Sequence, residues 1–448
     1  MPQCTPRLEA ALARLRERTP RSLALRPRAE RSLALEAVPT FSLPTPLYVE
    51  RADGGRITDV DGNSYLDLAM GFGALILGHR PPEVVDALRA QIDRGWHMIV
   101  PGEAQHELAE LIVEAVPCAE KVLFQNSGTE ATMYGMRLAR AYTGKPRVAV
   151  FGGAYHGTHD YALVQDDPRS PIGAPGAKSV GRGVPDAVRD QTMLVLPYRD
   201  PAAFDLIRRY RDQLALVVVQ PVQNTTPIRD NRAFLGELRE VCDQCGVLLM
   251  FDEVVTGFRL AYGGGQEYYG VTPDLAALGK IIGGGTAVGA LCGRADIMEL
   301  FARPGSAGVF AGGTFSGNPL TMVAGAATLR ALKARREEIY PRLERLGGQL
   351  AEAVQAHCDR HDMAVTLMHV ASIQCLHFTE GPIRSFRNTH PANRAAEAAF
   401  YALVLDRGVL VPGVHVYFLS TAHSERAIEF ATAAFIESLD DCRADGLL

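Results

Sequence analysis

Apolar residues in the middle of the chain fall into two alternating patterns. From residue 82 onwards, segments with helical apolar spacing alternate with short runs that are apolar at every position, such as 214–219 and 247–251. A run without polar positions is typical of a strand buried on both faces, and its alternation with helices is typical of a parallel sheet with helical crossovers. The pattern therefore predicts an α/β fold for this part of the chain.

The regions on either side of this pattern predict a smaller domain. Near the N-terminus, a helix-like segment precedes two strand-like runs at 47–50 and 56–59. The C-terminal region alternates helices and strands and ends in a helix, which predicts a small α+β layer. We predict that residues 1–74 form an N-terminal segment that joins the small domain, 75–330 the large domain and 331–448 the C-terminal small domain.

The composition narrows the class of protein. A chain of 448 residues with 47% hydrophobic and 22% charged residues is typical of a soluble globular protein with a large core. The net charge of −5 gives no electrostatic reason to expect nucleic acid or an anionic membrane as a partner. No apolar stretch is long enough to span a bilayer and no signal sequence opens the chain, so we expect a cytoplasmic protein.

The eight cysteines predict no special chemistry. In a long chain without a secretion signal they are expected to be reduced thiols. Cys242 and Cys245 form a C-x-x-C pair, but no second pair lies nearby, and the surrounding sequence is typical of the last turns of a helix that ends at Gly246. We therefore expect no metal site.

Two charged residues in the central region are candidates for catalysis. Asp252 follows the apolar run 247–251, and ligands of open α/β sheets bind at that end of a strand. Lys280 lies between apolar residues and three glycines, where desolvation would lower the pKa of its amine and make it a nucleophile. Pyridoxal phosphate (PLP) chemistry needs such a lysine to form a Schiff base, and a carboxylate to keep the pyridine nitrogen protonated. The alternative is a turn-capping aspartate and a lysine that extends from a loop.

A candidate phosphate site lies earlier in the chain, at the predicted start of a helix. The strand-like run 122–124 is followed by the sequence NSGT at 126–129, which opens a helix. Small hydroxyl residues and glycine at a helix N-terminus present backbone N–H groups and a favourable dipole to an anion. The alternative is that Ser127 or Thr129 is only an N-cap, with Glu130 in the first turn.

Four motifs, NSGTEA, FDEVVTGFR, LGKIIGGG and GGTFSGNP, together resemble the class III (fold-type I) aminotransferases, which depend on PLP. The resemblance covers nearly the whole chain and is greatest to the branch that contains glutamate-1-semialdehyde aminomutase. It implies an α/β fold with a large domain of mostly parallel sheet flanked by helices and a smaller α+β domain. It also implies PLP as cofactor, Lys280 as the Schiff-base lysine, Asp252 as the partner of the pyridine nitrogen and Val254 as a contact on the ring face.

The resemblance also assigns the phosphate end of the cofactor. NSGTEA is the phosphate-binding motif of the family, which implies that Ser127, Gly128 and Thr129 contact the phosphate. In GGTFSGNP, Thr314 corresponds to a threonine that reaches the phosphate of the neighbouring subunit. The resemblance therefore implies a homodimer.

The resemblance assigns four further residues to the ring end. In GGAYHG, Tyr155 would stack on the ring with His156 close behind it. Gln223 and Asn224, in QPVQN, are the amides that the resemblance places within reach of the phenolic oxygen of the cofactor. In the same motif, Gln220 stands where the family usually has the glutamate of V-E-P, which leaves the charge pairing of that position open.

The substrate side departs from the aminomutase pattern. MGFGALILGH resembles the segment that lines the substrate side, with Phe72 where the aminomutases carry a tryptophan; plain core packing of Phe72 is the alternative. AVPTFSLPTPLY lacks the arginine that holds their substrate carboxylate, and His415 and Val416 stand where they have an acidic residue. These differences argue against glutamate-1-semialdehyde as substrate.

A looser resemblance then suggests a substrate class. MGFGALILGH, VGRGVP and QPVQN resemble aminotransferases of polyketide and nonribosomal peptide assembly. We therefore predict a transaminase that moves an amino group from an amino-acid donor to a keto acyl or related carbonyl acceptor of natural-product biosynthesis, with a carrier protein as a further expected partner. One alternative is intramolecular transfer by a glutamate-1-semialdehyde 2,1-aminomutase, which needs no added donor. Another, a catalytically silent PLP-fold protein, is opposed by the intact Lys280, Asp252 and Thr314.

Overall fold

The computed structural model describes residues 5–35, 43–167, 170–171, 177–389, 392–413 and 416–448. Its internal contacts divide the chain into two compact units. The small unit comprises Met1–Pro81, Pro341–Ile383 and Asn388–Leu448, and the large unit comprises Pro82–Tyr340 and Arg384–Arg387. The main divisions thus follow residues 81 and 340, where the sequence predicted divisions after residues 74 and 330.

The large unit is built on a seven-stranded sheet. Its strands are β4 (Lys121–Gln125), β5 (Arg147–Phe151), β8 (Met193–Leu196), β9 (Leu214–Val219), β10 (Leu248–Asp252), β11 (Leu275–Gly279) and β12 (Gly289–Gly293). The order across the sheet is β4-β12-β11-β10-β9-β5-β8. Only β12 pairs antiparallel with its two neighbours, and all other pairs are parallel. The mostly parallel sheet confirms the predicted α/β class.

Helices flank this sheet. They are α4 (Pro82–Ile92), α5 (Glu103–Ala115), α6 (Gly128–Thr143), α7 (Ala202–Tyr210), α8 (Arg232–Cys245), α9 (Gly264–Tyr269), α10 (Ala295–Met298) and α11 (Pro319–Ala334). α6 packs on β11 and β12, whereas α11 packs on α4 and α5. A two-stranded ribbon, β6 (Val164–Asp166) with β7 (Ala177–Ser179), lies outside the sheet.

The central strands of the large unit are buried on both faces. Every residue of β9, β10 and β11 is buried. Their apolar sequences, LALVVV, LLMFD and LAALG, contain one polar side chain, that of Asp252 at the end of β10. The hydrophobic free energy of burying such runs fixes the strands in the middle of the sheet. Asp252 is consequently held at the carboxyl edge of a rigid core.

The small unit joins segments from both ends of the chain. Its elements are α1 (Pro6–Arg18), α2 (Pro20–Ser32), β1 (Val49–Asp53), β2 (Arg56–Asp59), β3 (Ser64–Asp67), α12 (Arg336–Arg360), β13 (Thr366–Val370), β14 (Ile373–His377), α13 (Arg394–Asp406), β15 (Val409–Leu410), β16 (Tyr417–Phe418) and α14 (Glu425–Ala444). α12 begins in the last residues of the large unit. β15 pairs in parallel with β3, so the N-terminal strands and a C-terminal strand share one sheet. A second sheet has the order β13-β14-β16.

One turn of the small unit has an unusual backbone. α3 (Met70–Gly73) is a left-handed turn in which Met70, Gly71, Phe72 and Gly73 have φ angles of +44°, +60°, +53° and +86°. The right-handed helix is the default for L-amino acids because the left-handed form brings Cβ close to the next carbonyl oxygen. The predicted substrate residue Phe72 therefore lies in a strained segment.

Within the described residues, no helix combines the length and the apolar character needed to cross a lipid bilayer.

Candidate active site

The large unit places a buried acid–histidine pair at the end of β10. Asp252 Oδ2 lies 2.6 Å from His156 Nδ1, and both side chains are 2% exposed. Asp252 Oδ1 accepts a hydrogen bond from the backbone N–H of Val254 at 3.1 Å. Two predicted site residues that are distant in sequence are thus in direct contact. The imidazole orients the carboxylate. The carboxylate oxygens can still accept a further hydrogen bond.

Lys280 directly follows β11, next to β10 in the sheet. Its backbone φ of +49° is strained for a residue with a side chain, and such strain persists only where the surrounding structure enforces it. Burial of the amine, together with the positive charge of Arg259, lowers the pKa of Lys280 to about 8, against the opposing effect of Asp252. A substantial fraction of this lysine is therefore neutral near pH 8, the form that acts as nucleophile and base.

Arg259 is a charged neighbour of Lys280 that the sequence motifs did not assign to the site. Its side chain is 1% exposed, and its Nε donates a hydrogen bond to the carbonyl oxygen of Val255 at 3.2 Å. Burial lowers the pKa of Arg259 to about 9. The signal in the sequence was a charged residue between Phe258 and Leu260, in a segment with few other polar side chains. Its positive charge helps to keep the amine of Lys280 neutral.

The candidate phosphate site combines a helix cap with the backbone N–H groups of the first helical turn. Ser127 is the N-cap of α6, and its Oγ accepts from the N–H of Glu130 at 3.1 Å. Glu130 Oε2 in turn accepts from the N–H of Asn126 at 2.7 Å. The Ser127 hydroxyl is therefore an N-cap, as the alternative interpretation predicted. The N–H groups of Gly128 and Thr129, in the first turn, are the donors suited to an anion.

Two glycines bring the predicted ring and phosphate residues together. A Cβ atom at Gly128 would lie 2.8 Å from both Cγ atoms of Val254, so only glycine permits this approach of helix and strand end. A Cβ atom at Gly157, whose φ is +105°, would lie 2.6 Å from Thr129 Oγ1. The segment that carries Tyr155 and His156 therefore lies against the start of α6.

Tyr155 is held at its backbone by Gln220. Gln220 Nε2 donates to the carbonyl oxygen of Tyr155 at 3.0 Å, and its Oε1 accepts from the N–H of Tyr155 at 3.3 Å. A carboxylate could accept at this position but could not donate. This pairing gives a physical reason for the amide that replaces the family's glutamate. Burial, and the nearby charge of Asp252, raise the pKa of the Tyr155 hydroxyl.

The two predicted amides differ in their hydrogen bonds. Gln223 Nε2 donates to the carbonyl oxygen of Gly152 at 3.0 Å, and Oε1 accepts from Thr226 at 3.2 Å. In the next residue, Asn224, the Oδ1 atom is buried and has no hydrogen-bond partner among the described residues. Asn224 is therefore the amide with unused capacity at this edge of the sheet.

Three further predicted residues are not part of this group of large-unit contacts. Thr314 is exposed in a loop whose Gly312 exchanges two hydrogen bonds with the hydroxyl of Tyr134 on α6. Phe72 belongs to the small unit. His415 lies outside the described residues. The large unit thus brings together the residues predicted for the Schiff base, the ring and the phosphate. The roles of Thr314, Phe72 and His415 stay predictions.

The residues of the large unit fit PLP. Buried polar atoms that have no partner in the described chain include His156 Nε2, Asn224 Oδ1 and both amide atoms of Gln125, at or beyond the ends of sheet strands. Such atoms are costly unless a bound group or water satisfies them. The helix start suits a phosphate, Asp252 suits a protonated ring nitrogen, and the amine of Lys280 suits an aldehyde.

Comparison with known proteins identifies the family. The model of the family described as aminotransferase class-III matches residues 38–425. A glutamate-1-semialdehyde 2,1-aminomutase of Methanopyrus kandleri is 40% identical over 429 residues, which cover 94% of this chain and 97% of that relative. One from Natranaerobius thermophilus is 41% identical over 389 residues, which cover 86% of this chain and 88% of that relative.

Solved structures of related enzymes have the same fold. An omega-transaminase from Sphaerobacter thermophilus superposes with a TM-score of 0.86 at 36% identity, covering 94% of this chain and 98% of that one. A glutamate-1-semialdehyde-aminomutase from Pseudomonas aeruginosa, in complex with PMP, has a TM-score of 0.86 at 25% identity and covers 97% of both chains. The fold-type I architecture and PLP as cofactor, predicted from the motifs, are confirmed.

The prediction of a natural-product transaminase is wrong. Relatives about 40% identical over most of the chain are named as aminomutases, which favours the alternative. The prediction gave more weight to a few local differences, including the missing arginine and His415, than to similarity along the whole chain. The carrier protein expected as a partner depended on that prediction and is not proposed. The chain belongs to the class III aminotransferases, a family of PLP-dependent enzymes.

Proposed function

We propose that this protein is an aminomutase of the glutamate-1-semialdehyde 2,1-aminomutase type. The observation that carries the proposal is the 40% identity to such an enzyme over 94% of the chain. Such an enzyme would convert an amino aldehyde into the isomeric amino ketone by moving the amino group from carbon 2 to carbon 1. Substrate and product have the same atoms and the same oxidation level overall, so the reaction needs no external oxidant or second amino compound.

Lys280 is proposed as the group that moves protons. Its amine has a pKa of about 8, so it can accept a proton from a substrate carbon and return it to the neighbouring position. The strained backbone and the buried β11 before it restrict where the amine can lie. An amine that is both neutral and fixed suits two proton transfers at adjacent carbons of one substrate.

The other residues of the large unit are proposed to hold the cofactor. PLP, when bound, supplies the electron sink for carbanion character at the substrate carbon. The N–H groups of Gly128 and Thr129 would bind its phosphate, and Val254 and Tyr155 would contact its ring. Asp252, oriented by His156 at 2.6 Å, would hold the proton of the ring nitrogen. A buried carboxylate there favours the positive charge that strengthens the electron sink.

The experiment is an assay of isomerisation without a second amino compound. Purified holoenzyme is incubated with glutamate 1-semialdehyde, and the amino ketone product is measured by mass spectrometry after derivatisation of the ketone. Turnover without an added amino donor or keto acid is expected. Turnover that requires a second amino or keto compound would instead identify an intermolecular transaminase.

Two controls make this assay specific. Lys280→Ala should remove the isomerisation, which separates catalysis from spontaneous rearrangement of the aldehyde. Lys333→Ala removes an exposed lysine that pairs with Glu114 at 2.6 Å and should leave the rate unchanged. Loss of activity in both variants would indicate a general defect and would remove the support for Lys280.

We also propose that the enzyme is a homodimer. The side chains of Trp96, Ile99, Val100, Phe310 and Phe315 are 63%, 96%, 77%, 84% and 60% exposed. The rings of His97 and Phe315 are in tilted contact, with centroids 5.1 Å apart, which joins the two segments into one apolar surface of the kind that partners cover. Thr314 is exposed beside Phe315, where it could complete a partner's phosphate site.

The mass in solution tests the dimer. Light scattering should give twice the chain mass of 48.5 kDa, and Ile99→Asp with Phe315→Asp should shift the protein towards the monomer and weaken cofactor binding. A wild-type protein of 48.5 kDa that retains its cofactor would contradict this proposal.

A further inference from the structure

A threonine within α6 makes a hydrogen bond that leaves its own helix. Thr132 is 1% exposed, and its Oγ1 lies 2.6 Å from the carbonyl oxygen of His156. The carbonyl oxygens of Gly128 and Thr129, which belong to the helix, are farther from this hydroxyl, at 3.2 and 3.0 Å. A hydroxyl group carries one proton, and its shortest contact identifies the acceptor. Thr132 therefore donates to the backbone of His156.

A second threonine of α6 shows the ordinary arrangement. Thr143 Oγ1 donates to the carbonyl oxygen of Ala139, four residues earlier, at 2.8 Å. Threonine in a helix commonly bonds in this way, because that carbonyl oxygen lies within reach of its hydroxyl. For Thr132, the corresponding distance to Gly128 is longer than the distance to His156. The hydroxyl of Thr132 consequently links two segments of the large unit.

His159 is the second group on this hydroxyl. Its Nε2 lies 3.2 Å from Thr132 Oγ1, and its buried Nδ1 has no partner among the described residues. Burial lowers the pKa of His159 to about 4, with His156 and Arg140 acting in the same direction and Asp252 opposing them. The ring is therefore neutral near pH 7 and carries one N–H. Because Thr132 gives its own proton to His156, it is free to accept the proton of His159 Nε2.

The chain of hydrogen bonds ends at the carboxylate of Asp252. His156 Nδ1 lies 2.6 Å from Asp252 Oδ2, and a carboxylate oxygen accepts, so the imidazole donates. A shift of the His156 backbone would therefore change how its ring meets the carboxylate. The hydrogen bonds run in one direction, from His159 to Thr132, from Thr132 to His156 and from His156 to Asp252.

We infer that Thr132 and His159 are positioning residues for Asp252, because they fix the backbone of the histidine that orients its carboxylate. This inference rests on the proposed function, in which Asp252 holds the proton of the PLP ring nitrogen. Packing alone would not require a hydroxyl at position 132, since valine has nearly the same shape as threonine. The group that benefits is the protonated ring nitrogen, and no other part of the cofactor.

Two cofactor molecules that differ in one ring atom test this inference. PLP has the ring nitrogen, whereas its 1-deaza analogue has a C–H group there, so only PLP can form a charge-assisted hydrogen bond with Asp252. Holoenzyme is dialysed against mixtures of the two compounds, and the bound ratio is measured by mass spectrometry after denaturation. The wild type should prefer PLP, and Asp252→Asn should remove most of that preference.

Thr132→Val should reduce the preference for PLP by about tenfold, because the carbonyl oxygen of His156 loses its donor and Asp252 is held less well. Thr132→Ser keeps the hydroxyl and should retain most of the wild-type preference. Thr143→Val, the matched control on the same helix, should leave the preference unchanged. A merely structural role for Thr132 would weaken the binding of both compounds equally. An unchanged preference in Thr132→Val, or equal losses in the serine and valine variants, would overturn the inference.

His159→Leu gives an independent measurement, which also carries the test if Thr132→Val does not fold. It should reduce the preference by about threefold, a smaller loss, because Thr132 can still donate to His156. In the Thr132→Val background it should have no further effect, since both residues act through one hydroxyl. A wild-type preference in His159→Leu, or additive losses in the double variant, would contradict the proposed role of His159.

Failure of the proposed function can be told apart from failure of this inference. If the wild type binds the two compounds equally, the proposed placement of Asp252 at the ring nitrogen is wrong. If the wild type prefers PLP and Thr132→Val retains that preference, only the inference fails. The exchange needs no substrate, so a protein that does not isomerise glutamate 1-semialdehyde still gives a result for Thr132 and His159.

Discussion

Lys280 in the large unit and Phe72 in the small unit have similar backbones, with φ angles of +49° and +53°, but opposite surroundings. Lys280 lies between the buried strand β11 and the buried Ile281 and Ile282, so apolar packing enforces its conformation. The turn that carries Phe72 is instead held by Asp67, which accepts from the N–H groups of Ala69 and Met70 and contacts the imidazole of His79. Apolar enclosure changes the chemistry of a side chain by removing water, whereas a polar clamp fixes only its direction. Variants of the lysine site should therefore change rates and pKa values, whereas variants of Asp67 should lower the free energy of unfolding of the small unit.

The largest effect is expected for the lysine itself. Lys280→Ala should lower kcat by about 1,000-fold or more, because it removes both the nucleophile and the proton carrier. It should also abolish the visible absorbance that arises from the bond between cofactor and lysine. An unchanged visible spectrum in this variant would show that another residue holds the cofactor.

The reactivity of Lys280 in the apoenzyme should also be unusual. Its pKa is lowered to about 8, so its neutral fraction rises as the pH increases through 8. A lysine of ordinary pKa near 10.4 would have a neutral fraction of only about 0.4% at pH 8. Labelling with an amine-selective reagent, followed by peptide mass spectrometry, should therefore give about half the maximal rate at pH 8. A midpoint above pH 10 would contradict the proposed enclosure.

Asp252→Asn is expected to have the next largest effect on turnover. The change keeps the shape of the side chain but removes the charge that would hold a protonated ring nitrogen, so kcat should fall by about 100-fold. Cofactor content, measured by absorbance, separates this effect from weaker binding. Asp205→Asn, at an exposed position of α7 with a side chain 81% exposed, is the matched control and should have wild-type kcat.

The smallest of these effects is expected at Gln220. In Gln220→Glu, a carboxylate would face the carbonyl oxygen of Tyr155, which now accepts from the amide at 3.0 Å. Both of these oxygens are acceptors, so no hydrogen bond can form between them. The loss of this hydrogen bond should weaken cofactor binding by about 10-fold. The loss should shrink as the pH falls, because a protonated glutamate can donate. Gln349→Glu, at an exposed position of α12, controls for the added charge, and equal losses in both variants would contradict the proposed pairing.

Much of the fold could be predicted because its signals are local. The predicted strand at 214–219 coincides with β9, and the one at 247–251 lies within one residue of β10, since an unbroken apolar run defines each. The parallel pairing of β15 with β3 could not be predicted, because it joins residues more than 300 positions apart. No local pattern records which distant strand completes a sheet.

The same distinction applies to the candidate site: local sequence indicated some of its residues, but not the contacts between them. Asp252 was visible as a carboxylate at the end of an apolar strand, and Lys280 as a charge inside an apolar segment. The contact between Asp252 and His156, and the pairing of Gln220 with Tyr155, depend on segments that only the folded sheet brings together. The prediction of the substrate was wrong because it depended on single residues that differ from the aminomutase motifs. The sequence does not show which groups surround those residues in the fold.

The contact between Gly128 and Val254 has a consequence for how the sequence of such a site can change. A Cβ atom at Gly128 would lie 2.8 Å from the Val254 methyl carbons, so the two positions share one volume. A larger residue at 128 is compatible with the fold only when the residue at 254 becomes smaller. The two positions should therefore covary among descendants of this chain, and each constrains the mutational paths open to the other.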